Sequence, residues 1–119
     1  MNPRNMLANL SFIKAVTSRR QTYYMYENDA QYVLMTVNRS KPNAFSLSLV
    51  PKEATEYVRR AFKGKTVTVA QVKTQSRKPS YTRTSFDVLS ILYALCAIDS
   101  AKIDHRFKRK ALYFTVRDK

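Results

Sequence analysis

The sequence predicts an α+β fold, on the strength of two apolar periods and one break in the charge pattern. Residues 22–50 contain β-rich runs with alternating character, whereas residues 51–98 repeat their apolar positions at helical spacing. The basic residues crowd into parts of the second region. No low-complexity tract, internal repeat or Pro/Gly linker divides the chain. Its 119 residues suit one domain with a modest core, covering residues 1–119.

The opening NPRNMLANLSFIKAV predicts a helix over roughly residues 3–17. Asn2 is a suitable N-cap, and Pro3 stands at the first helical position, where its missing N–H costs nothing. Met6, Leu7, Leu10, Ile13 and Val16 follow at helical spacing. The period then changes. Three β-rich runs at 22–26, 31–37 and 44–50 are separated by segments in which Asn, Asp, Ser and Pro gather, as turns require. In the third run Phe45, Leu47 and Leu49 alternate with Ser46 and Ser48. The expectation is a three-stranded antiparallel meander with one buried face.

From Pro51 onward Ala54, Tyr57, Val58, Ala61 and Phe62 share a helical face, and Gly64 sits where a glycine ends a helix. After a short extended KTV, Thr68 and Gln71 form the ends of a capping box. The helix it starts is short, about residues 69–77, and Pro79 prevents its continuation. Thr82 or Thr84 caps a third helix. Phe86, Val88, Leu89, Ile91, Leu92, Leu95, Cys96 and Ile98 surround most of its circumference. Two extended pieces, AKID and KALYFTVR, then flank HRFKRK, which reads as a β-hairpin with a cationic tip.

Charge narrows the function. The chain has 22 basic and 8 acidic residues, a formal +14, which points to a polyanionic partner. Nucleic acid is the commonest polyanion, and anionic membrane is its rival; no apolar run reaches the roughly 18 residues that would span a bilayer, which bears on insertion and not on surface binding. Between Glu56 and Asp87 there is no acid, while Arg59, Arg60, Lys63, Lys65, Lys73, Arg77, Lys78 and Arg83 supply positive charge. The group Arg59, Arg60 and Lys63 fits solubility as well as phosphate contact. One cysteine excludes an internal disulfide and fits a reducing compartment. Lys14, Arg19 and Arg20 follow the N-terminal apolar residues instead of preceding them, unlike a signal peptide. The expected protein is soluble and intracellular, cytoplasmic (nucleoid-associated) or nuclear, and not secreted.

Catalysis has little to work with. His105 is the only histidine, so neither a two-histidine metal site nor a histidine nuclease pair can be built from this chain. A single glycine argues against a glycine-rich phosphate loop. Cys96 falls on the apolar helix and reads as core. Asp99 and Asp104 are weak evidence for a metal. Eight tyrosines suit base stacking or strand packing equally. The expectation is a non-catalytic protein without cofactor or metal.

From Lys52 the order is helix, short strand, short helix, turn, longer helix, basic hairpin. This order resembles a winged helix, a helix-turn-helix variant with a β-wing, over about residues 52–117. TVAQV is similar to the second helix of such domains, TSFDVLSILYALCAI to the third, and KALYFTV to the returning wing strand. The resemblance implies that the third helix points its N-terminal end at DNA while its body packs on its neighbours. Ser80, Tyr81, Thr82, Arg83, Thr84 and Ser85 would then form the exposed tip, where hydroxyls and free amides suit phosphate and Arg suits guanine. Lys73, Arg77, Lys78 and the wing residues Arg106, Lys108, Arg109 and Lys110 would contact phosphate. The function implied is sequence-preferring binding of double-stranded DNA, as by a small transcriptional regulator. A lone winged helix makes a small footprint, so residues 1–50 would brace or homodimerise the 51–119 portion. RNA binding in a ribonucleoprotein and nonspecific DNA packaging are the rivals.

Overall fold

The computed structural model describes residues 10–17, 22–37, 45–104 and 112–117. Four antiparallel strands come first: β1 (Ser11–Thr17), β2 (Thr22–Glu27), β3 (Gln31–Val37) and β4 (Phe45–Pro51), side by side in chain order. β1 corrects the expectation of a helix over residues 3–17, whose first half lies outside the described residues. Phe12, Ile13, Val16 and Thr17 are aromatic or β-branched, types that lose rotamer freedom in a helix and pack well on a pleated surface. Pairing with the free edge of β2, from Ser11 opposite Glu27 to Thr17 opposite Thr22, overrides the helical period. A register shift between Phe12 and Lys14 lets both Ile13 and Val16 reach the core.

The three expected meander strands are present, in a sheet of four. Its cross-strand pairs sort the two faces. Met25, Leu34 and Ser48 lie in one row, and Tyr26, Val33 and Leu49 in the adjacent one. On β4 the leucine side is not the one that the helices cover: Leu47 and Leu49 are 44% and 46% exposed. Ser46 and Ser48 face inward, beside a buried Val50, and Met25 and Leu34 supply the apolar contact there.

The second half runs α1 (Lys52–Ala61), β5 (Thr66–Val67), α2 (Val69–Gln75), α3 (Ser85–Ala97), β6 (Ala101–Ile103) and β7 (Phe114–Val116). The three short strands form a second sheet in the order β5-β7-β6. α1 follows β4 without a linker, and Lys52 N–H donates to the Ala30 carbonyl at 3.0 Å. Ala54, Val58 and Phe62 are buried as expected, while Ala61 is exposed. Gly64 has φ 76°, the left-handed conformation that a side chain would strain, and its N–H reaches the Val116 carbonyl at 2.9 Å.

The capping box opens α2 as expected: Gln71 N–H donates to Thr68 Oγ1 at 3.2 Å, and Thr68 N–H to Gln71 Oε1 at 2.9 Å. Of the two candidate caps of α3, Thr84 serves, accepting from Asp87 N–H at 3.0 Å. α3 is the centre of the molecule. It packs on all four strands of the first sheet, and on α1, α2 and β6 from the other side. A helix enclosed on both sides must be apolar nearly all round, and every residue from Ser90 to Ala97 is buried. Tyr93 links the two sheets: its ring stacks on Tyr23 of β2 at 4.1 Å and meets Phe114 of β7 edge-on at 5.6 Å. No helix among the described residues is long and apolar enough to cross a membrane.

Candidate nucleic-acid interface

The α2–α3 turn is fixed from within. α2 stops at Gln75, and Ser76 N–H still closes onto the Val72 carbonyl at 3.0 Å. Arg77 N–H donates to the Tyr57 hydroxyl of α1 at 2.8 Å, and Lys78 N–H to Ser76 Oγ at 3.1 Å. Tyr81 N–H and Thr82 N–H close onto the carbonyls of Lys78 and Pro79 at 2.9 and 3.2 Å. The Tyr81 hydroxyl donates to Glu53 Oε2 at 3.0 Å, which holds the phenol above its ordinary pKa. Backbone donors satisfied locally leave little freedom for the loop to rearrange.

This scaffold divides the residues that the sequence selected. Lys73, Arg77, Lys78, Ser80, Arg83, Thr84 and Ser85 are exposed. Thr82 is not. It is 3% exposed, with its hydroxyl donating to the Lys78 carbonyl at 3.4 Å, so it belongs to the interior of the turn and leaves the expected tip. Tyr81 is half-buried and acts as a brace between the turn and α1, its ring 6.0 Å from that of Tyr57. Thr84 spends its hydroxyl on capping. Arg106, Lys108, Arg109 and Lys110, with His105, lie outside the described residues. The strands flanking them do pair, and Asp104 N–H donates to the Tyr113 carbonyl at 2.7 Å.

Electrostatics separates two groups of cations that the sequence left together. Arg59 and Arg60 share one carboxylate: their Nε atoms donate to the two oxygens of Glu56 at 2.9 and 2.8 Å. The Glu56 carboxyl is held down to about 2, first by its hydrogen bond from Arg59 and then also by Arg60. Lys52 and Lys14 pair with Glu27 and Asp99. Lys73, Arg77, Lys78 and Arg83 form no ion pair among the described residues. Lys73 on the last turn of α2 and Arg77, Lys78 and Arg83 on the braced turn are exposed like charges, which together give this end of the molecule a positive potential.

Phe86 is the residue that sequence reasoning misplaced. The helical spacing counts it with the apolar body of the third helix, but it is 61% exposed on the first turn of α3. It stands between two hollows. One, of about 280 Å³, lies toward Pro51 and Arg83, and the other, of about 230 Å³, lies between α3 and the inner face of the sheet. Its position inside the hydroxylated run YTRTSFD, three residues after Arg83, was the available signal.

Three other groups that the sequence singles out are Cys96, Asp99 and Asp104. Burial pushes the Cys96 thiol up to about 12, so it remains protonated and poorly nucleophilic at neutral pH. Asp99 pairs with Lys14 at 2.9 Å, whereas Asp104 is buried and accepts from Thr115 Oγ1 at 3.3 Å. No protein-family model, curated protein or solved structure matches the chain.

Proposed function

We propose that this protein binds duplex DNA with sequence preference, without catalysis, through the α2–α3 turn and the first turn of α3. One observation carries the reading: Lys73 at the end of α2, and Arg77, Lys78 and Arg83 on the turn that follows, are exposed and in no ion pair among the described residues, and internal hydrogen bonds brace that turn. Support also comes from connectivity. The order α1-β5-α2-α3-β6-β7 with a β5-β7-β6 sheet resembles that of a winged helix, in which the turn and the following helix tip approach the major groove.

The four-stranded sheet changes how such a helix engages DNA. It covers the body of α3, so only the N-terminal turn is free and the helix meets the groove end-on. Lys73, Arg77 and Lys78 take phosphates, which set register without reading sequence. Arg83 and Phe86 sit nearest the base edges. Arginine pairs bidentately with guanine, and an aromatic ring packs on the thymine methyl.

A competition assay tests the reading against its RNA rival. At one salt concentration, a labelled duplex selected from random sequence is displaced by the same unlabelled duplex at least about tenfold better than by structured RNA or a scrambled duplex. RNA displacing equally well moves the protein to a ribonucleoprotein role. Equal displacement by all duplexes makes it a packaging protein.

A further inference from the structure

The outer face of the four-stranded sheet, turned away from α3, is apolar and open. Register and alternation place Phe12, Tyr24, Tyr26, Met35, Leu47 and Leu49 on it. Phe12, which meets Tyr26 edge-on at 5.3 Å, is 56% exposed, and Leu47 and Leu49 are 44% and 46% exposed. Val33, opposite Leu49, is 2% exposed, so the face has a buried centre of its own. Among the described residues the register puts no Asp, Glu, Lys or Arg there. In a chain of formal charge +14, a charge-free aromatic face is an exception in need of an occupant.

We propose that this face joins two copies of the chain in a two-fold symmetric dimer, sheet against sheet. The charge pattern favours a second copy over a polyanion, because the face has no cation to meet phosphate. A second copy brings the same aromatic and aliphatic chemistry, as a self-complementary interface requires. The size is adequate. Four strands about 4.8 Å apart, each rising about 3.3 Å per residue, span roughly 400 Å² in plan per copy. The relief of the side chains brings two such faces to the lower limit of a specific interface, about 1,000 Å² in total.

Contact through the β1 edge is disfavoured. β1 carries a register shift, and Lys14 points inward to Asp99 at 2.9 Å, both of which blunt an edge strand. Face-to-face packing also suits DNA, a point that rests on the proposed function. Successive layers about 10 Å apart place the two α3 helices, one outside each sheet, about 30 Å from each other. Adjacent half-sites on one side of duplex DNA are about 34 Å apart.

Sedimentation equilibrium without nucleic acid tests the dimer over about a hundredfold range of protein concentration. The wild type is expected to dimerise. Leu47→Glu/Leu49→Glu and, separately, Phe12→Glu are expected to raise the dimer Kd more than about 100-fold, because each buries unpaired charge. All three positions are exposed, and circular dichroism checks that the variants fold. A wild type that is monomeric throughout, or a dimer that persists in both folded variants, overturns the proposal. A monomer whose binding to single-stranded oligonucleotides is lost in both variants overturns it in favour of a base-stacking platform. A monomer that still binds duplex overturns the dimer and leaves the proposed function intact.

Discussion

Tyr93→Ala is expected to cost about 3–5 kcal/mol of stability, the range for deleting a large buried aromatic. The ring is 2% exposed and occupies the middle of α3. It stacks on Tyr23 at 4.1 Å and meets Phe114 at 5.6 Å, so its removal loosens both sheets from the helix between them. Each aromatic pair adds about 0.5–1.5 kcal/mol beyond simple burial. A domain of this size is stable by only about 5–15 kcal/mol, so the loss takes a large share. Tyr93→Phe keeps the ring and is expected to retain most of the stability. Urea unfolding of both variants checks this. A cost below about 1 kcal/mol for Tyr93→Ala would mean that the sheets are not coupled through this side chain.

The second large effect is on recognition. Arg83→Ala is expected to weaken binding to a preferred duplex by about 1–3 kcal/mol and to a scrambled duplex much less. Arg83 is the only basic residue between Lys78 and Lys102, so it alone offers a guanidinium from the tip of α3. It stands just before the capping Thr84, exposed and without an ion pair among the described residues. Lys78→Ala removes a charge from the preceding turn and is expected to weaken both duplexes alike. The comparison needs one salt concentration. Equal losses for both mutants on both duplexes would place Arg83 on the backbone and leave Phe86 and Ser85 as readers.

Local chemistry made the helical half legible in sequence. Thr68 with Gln71, Thr84 with Asp87, and Gly64 at positive φ each act within a few residues, so spacing alone locates them. β1 was hidden for the opposite reason. Ile13 and Val16 fit a helical period with Leu10, while the partner that makes them a strand, β2, appears only once the chain has turned. The exposed side of β4 was equally out of reach. Alternation tells which residues share a face, and the packing of α3 over Ser46, Ser48 and Val50 decides which face is covered. At the site, the cations were legible as composition, but their pairing was not. Glu56 serves Arg59 and Arg60 because three- and four-residue spacings bring them together on α1, whereas Arg77 and Arg83 form no ion pair among the described residues. The burial of Thr82 follows from the turn closing over it, a consequence of the hydrogen bonds that Tyr81 and Thr82 donate to the carbonyls of Lys78 and Pro79, which residue type does not announce.

The salt dependence of duplex binding tests the central claim most directly, with wild type compared to two variants. If Lys73, Arg77 and Lys78 and the four cations of residues 106–110 meet phosphate, log K against log salt for each chain falls with a slope of about −6. Replacing Lys73, Arg77 and Lys78 with Gln is expected to make that slope shallower by about 3 and to weaken binding at every sequence. Replacing Arg59 and Arg60 with Gln removes cations that already share Glu56, and is expected to change the slope by no more than about 1. A salt-independent affinity, or a three-residue variant that binds as the wild type does, would contradict the account.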